Sequence, residues 1–60
     1  MSLNEIAKRD ARIVTLQTEL LDHSGHVRPE IMPAQRRRLT REINVLRAAN
    51  GWAPLNMLGR

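Results

Sequence analysis

"PAQRRRLTREINVLRAANGW", residues Pro33–Trp52, decides the fold. It opens on a proline, which suits the first turn of a helix because its missing N–H would have no partner there. Met32, Leu39, Ile43, Leu46 and Asn50 then recur at a spacing that lays them along one narrow seam, like one edge of a coiled coil. Gly51 supplies the left-handed residue that ends helices, and Trp52 stands where a residue packs back on the last turn. Pro54 forbids continuation. The spacing predicts a helix over about residues 33–50. With Leu39 at the centre of its buried face, Arg37 and Arg41 point away, Arg38 lies to one side, and Arg36 and Arg47 flank the seam.

A second helix announces itself earlier. Ser2-Leu3-Asn4-Glu5 has the capping-box pattern, in which the Ser2 hydroxyl accepts from the Glu5 amide. Met1 and Ile6 stand where a hydrophobic staple packs. Leu3, Ile6, Ile13, Leu16, Leu20 and Leu21 share one broad arc, with Ala7 and Val14 at its edge. Asp10 and Gln17 interrupt that arc one heptad apart. This helix is expected over about residues 2–22, with Gly25 as its left-handed stop. Gly25, Pro29 and Pro33 break regular structure between the two helices.

Two helices joined by about ten residues form an antiparallel hairpin. The fold class is therefore all-α: a hairpin over residues 1–50 followed by a short apolar C-terminal docking tail, residues 51–60. Matching levels place Leu20 near Leu39, Leu16 near Ile43 and Ile13 near Leu46. Asp10 then faces the turn holding Arg47 and Asn50, and an internal polar pairing among these three is expected. The tail is read as either inserting into a partner or folding back over Met1, Leu3 and Ile6.

Such a hairpin is marginal on its own. A compact fold of this mass buries about 6,000 Å² on folding. If roughly 60% of that is apolar, at ~25 cal/mol/Å² the gain is about 90 kcal/mol, and ordering the chain at ~1.5 kcal/mol per residue costs about as much. There is no cysteine to staple it. A stable form is thus expected to be an oligomer or a subunit docked on something larger.

Composition excludes several classes. No apolar run approaches the ~20 residues of a membrane span, and the mixed charges of the first dozen residues do not fit a signal peptide. A cytoplasmic location, or one inside a macromolecular assembly such as a virion, is expected. Catalysis finds no support: no serine or threonine has a base and an orienting group arranged with it, and no glycine-rich phosphate loop is present. No cofactor and no small-molecule substrate are expected. His23 and His26 flank a Ser-Gly turn, but a metal site needs three or four convergent ligands, so no metal is expected either.

What remains is binding. The net charge of +4 is localised: Lys8, Arg9 and Arg12 balance Glu5, Asp10 and Glu19, whereas the five arginines of 33–51 face only Glu42. The expected function is a small structural or assembly subunit that docks on larger proteins or on copies of itself. Its partner contacts are expected at Trp52, Leu55, Met57 and Leu58 of the tail and at Val14 and Leu21 of the first helix's open flank. Small, basic chains without cysteine are found among phage and other assembly proteins, an analogy of size and plan only. The alternative is a dimeric RNA- or DNA-binding regulator that presents Arg37, Arg38 and Arg41 to phosphates, although that same face also suits an acidic protein. A weaker alternative is an inhibitor or antitoxin-like peptide.

Overall fold

A computed structural model describes residues 2–55. Two helices, α1 (Leu3–Leu20) and α2 (Pro33–Ala49), pack against each other as an antiparallel hairpin. α1 starts as its sequence dictates: Ser2 is extended and its hydroxyl accepts the Glu5 amide at 3.2 Å.

α1 stops earlier than the sequence suggested. Leu21 leaves the helix in an extended conformation (φ −114°, ψ 147°) and pairs with Val27 in an isolated antiparallel bridge. The cause is local competition for amides. The Asp22 carboxylate accepts the amides of Ser24 at 2.8 Å and His26 at 3.1 Å, so the chain closes a side-chain turn rather than another helical turn. Gly25, with φ +85°, serves inside that turn and not as the helix stop. The open end of α1 is closed from the connector. The Arg28 amide donates to the Leu20 carbonyl and its Nε to the Thr18 carbonyl, which places a cation where the helix dipole is negative.

α2 begins at Pro33 and ends in the predicted manner. Gly51 has φ +80° and donates to the Ala48 carbonyl at 3.0 Å, while the Trp52 amide reaches the Arg47 carbonyl at 2.8 Å. Open space surrounds the position a Gly51 Cβ would take, so only backbone strain opposes a side chain there. Gly51→Ala is expected to cost about 1 kcal/mol, read as a melting temperature about 4–8 °C lower; an unchanged melting curve would show that the left-handed cap contributes nothing.

The core is small. Ile13, Leu16 and Leu20 of α1 and Leu39 and Ile43 of α2 are buried in one cluster, ringed by the half-buried Leu21, Val27, Ile31, Leu46 and Leu55. These residues are the facing levels expected of the hairpin. Met32, placed on the α2 seam by spacing, is instead exposed: it precedes the helix in an extended conformation, so helical geometry does not govern its direction. Ile31 takes the place beside the core.

Candidate interaction surface

The helix pairing fixes which sequence-predicted residues are available to a partner. On α1, Leu3, Ala7 and Val14 are exposed and Leu21 is half-buried. Leu3, Ala7 and Val14 form a stripe spaced by four and seven residues on one face of α1, and Leu21 follows just past the helix end, extended and packed against the core. At the connector end, Val14 and Leu21 line one shallow groove with Gln17, Thr18, His23 and Arg28. The groove wall is pinned from within, because the Thr18 hydroxyl donates to the Val14 carbonyl at 2.8 Å while the Thr18 carbonyl holds Arg28 at 3.1 Å.

The polar pairing at the other end differs from expectation. Asp10 is exposed. Arg9 takes the internal position instead: its Nη1 donates to Asn50 Oδ1 at 3.1 Å, and Asn50 Nδ2 donates to the Ile6 carbonyl at 3.3 Å. A helix advances about 100° per residue, and Arg9 shares the face of Ile13, Leu16 and Leu20, so burial of that face brings Arg9 rather than Asp10 to the level of Asn50. Arg47 does not meet Asp10 either. Its Nε donates to the Ala53 carbonyl at 2.6 Å and its guanidinium lies 5.9 Å from the centre of the Trp52 ring, within reach of a cation–π contact.

These bonds redirect the tail. The Leu55 amide donates to Asn44 Oδ1 at 2.8 Å, and the Leu55 side chain packs against the core. Residues 52–55 therefore run back along α2. They do not cover Leu3, which stays exposed. Leu55, expected at a partner contact, has a place inside the fold because an unpaired apolar side chain next to an open core edge gains by covering it. Trp52 keeps part of its ring at the surface. Met57 and Leu58 lie outside the described residues.

Arg37, Arg38 and Arg41 are all exposed, as the helical wheel requires. Glu42 is drawn to the other helix, 3.7 Å from Arg12, in an exposed pair worth little in stability. His23 and His26 are exposed, and no cluster of three or more metal-ligating side chains occurs among the described residues. No described helix is long and apolar enough to cross a membrane.

Sequence reasoning passed over Arg9, Arg28 and Asn44. Each makes a side-chain hydrogen bond to a group 10 or more residues away. Such bonds leave no periodic trace. Asp22, beside the two histidines, likewise stands outside the helical pattern. Its pKa is lowered chiefly by the His26 amide, which outweighs the opposing effect of burial, and further by the Ser24 amide and the charges of His26 and His23. A depressed carboxylate pKa contributes stability above the ordinary aspartate range, and the contribution is lost as pH falls through the folded-state value. NMR titration of the Asp22 carboxyl is expected to give a midpoint below that of an unstructured aspartate, with the Ser24 and His26 amides losing protection, relative to their intrinsic exchange rates, as the carboxyl is protonated. Asp22→Asn should abolish that acid dependence; an ordinary midpoint would contradict the turn.

Comparison with protein-family models, with curated proteins and with solved structures finds no match to this chain. The functional reading therefore rests on the faces just described.

Proposed function

We propose that this chain is a small, non-enzymatic assembly subunit that docks on other proteins or on copies of itself. One observation carries the reading: the hairpin leaves large apolar side chains open beside a small core. Five side chains are buried, while Leu3, Val14, Met32 and Val45 are 84%, 53%, 67% and 62% exposed. Single exposed apolar residues are ordinary, but Leu3, Ala7 and Val14 share one helix face, and a helical partner would cover that stripe by the packing that already joins α1 to α2. Docking also answers the thin energy balance, since a partner that binds only the folded chain stabilises it. The exposed edge of Trp52 and its Arg47 neighbour form a second contact of the type that dominates interfaces. A virion or another multi-subunit complex is the setting such a chain suits, on grounds of size and composition.

The test is sedimentation combined with far-ultraviolet circular dichroism over a range of chain concentrations. The isolated chain is expected either to sediment as an oligomer or to show partial, concentration-dependent helicity. Val14→Glu introduces a charge at an exposed site, so it should leave the intramolecular core intact while reducing association at least tenfold, about 1.4 kcal/mol. A monomer that unfolds cooperatively with high stability at every concentration would overturn the proposal.

A further inference from the structure

The positive charge of the chain gathers on one part of α2. Of its five arginines, Arg47 is held by the Ala53 carbonyl and the Trp52 ring, and the helix's one acid, Glu42, is turned toward Arg12. Four of the five arginines lie within six residues, from Arg36 to Arg41. Arg37, Arg38 and Arg41 are exposed, and no ion pair holds them among the described residues. Arg36, Arg37, Thr40, Arg41 and Asn44 line a continuous shallow groove along the helix. The positive end of the α2 dipole adds to the same field, because the first turn carries no acid.

Three properties of this groove identify its ligand. Every basic residue of α2 is arginine and none is lysine. A guanidinium presents paired donors that match the oxygens of a phosphate. The groove is lined only by arginine, threonine and asparagine, three of the five residues being arginine, whereas the centre of a protein–protein contact is depleted in charge; surfaces that bind nucleic acid are far more positive. Finally, Arg37 and Arg41 stand one helical turn apart, so they can meet successive charges of a linear polyanion.

We propose that this arginine groove binds the phosphate backbone of nucleic acid, without reading its base sequence. No aromatic side chain lines the groove for base stacking, so the contact is electrostatic and is made by guanidinium on phosphate. The inference is independent of protein docking, which uses the α1 stripe and Trp52. Both together would describe a subunit that holds nucleic acid against a protein assembly.

The experiment measures fluorescence anisotropy of labelled 20-base-pair duplexes of two unrelated sequences, titrated with the full chain between 50 and 200 mM salt. Circular dichroism confirms that helicity is unchanged in each variant. Equal affinity for the two sequences is expected, with a slope of log K against log salt of about −2.7, the value for three neutralised phosphates. Arg37→Ala with Arg41→Ala should bring the slope to about −0.9 and weaken binding at 50 mM salt on the order of tenfold or more. Arg37→Lys with Arg41→Lys, which keeps the charges, should retain most of the slope. Absence of binding at 50 mM salt, or binding indifferent to the alanine pair, would overturn the proposal. Polyglutamate competing as well as unlabelled duplex at equal charge concentration would also overturn it and would assign the groove to an acidic protein.

Discussion

Replacing Ile43 by alanine is expected to abolish cooperative folding of the chain. Ile43 is fully buried at the centre of the five-residue cluster and is one of only two buried side chains that α2 contributes. Truncating a buried isoleucine to alanine costs about 3–4 kcal/mol, the lost transfer energy plus the cavity left behind. A single core of this size rarely supplies more than ~3–5 kcal/mol, so the variant retains almost none of the total. Ile43→Val removes one methyl group and should cost only about 1 kcal/mol. Thermal unfolding at one fixed chain concentration separates the two. The valine variant should melt cooperatively at a lower temperature and the alanine variant should show no transition. An alanine variant that melts within a few degrees of the parent would mean that α2 does not pack through Ile43. Fixing the concentration matters because association adds to apparent stability by mass action.

The second large effect lies at the other end of the hairpin. Asn50→Ala should destabilise the fold by about 1–2 kcal/mol, because it removes the two hydrogen bonds by which Asn50 ties the end of α2 to Arg9 and to the Ile6 carbonyl of α1. Asp10→Ala should change stability by no more than about 0.5 kcal/mol, as expected of an exposed site without a structural contact. Denaturant unfolding of the two variants side by side tests the helix rotation. If Asp10→Ala proved the more damaging, α1 would have to be turned by about one residue relative to α2, and the pairing read from spacing alone would be restored.

This contrast shows where sequence reasoning reaches its resolution. Spacing alone leaves the azimuth of α1 loosely set, because Leu3, Ile6, Ile13, Leu16, Leu20 and Leu21 span a broad arc and dispersion contacts have no strict direction. Hydrogen bonds do have one. At the level of Asn50, two neighbouring residues of α1, Arg9 and Asp10, compete for the same place, and only the settled packing of the core selects between them. The same reasoning covers Met32 and Ile31: spacing nominated Met32, but the helix starts one residue later and Ile31 turns inward.

Taken by itself, the sequence determined the elements and their pairing. Ser2 starts α1, Pro33 starts α2, Gly51 and Trp52 end it, and the seam of Leu39, Ile43 and Leu46 requires a partner helix that only α1 can supply. These are local signals or strict periodicities, and each is a property of residues within one or two turns of one another. Which way the wheel places the arginines was likewise legible, since a residue's azimuth on a helix follows from its number. Only the tertiary structure decided the end of α1, the choice of Arg9 over Asp10, and the return of the tail along α2. In each case a side chain meets a backbone group or another side chain across a turn or across the hairpin: Asp22 on the Ser24 and His26 amides, Arg9 on Asn50, and Asn44 on the Leu55 amide. A polar group takes whichever partner the packed chain brings within about 3 Å, and that proximity exists only once the two helices have docked or the connector has closed.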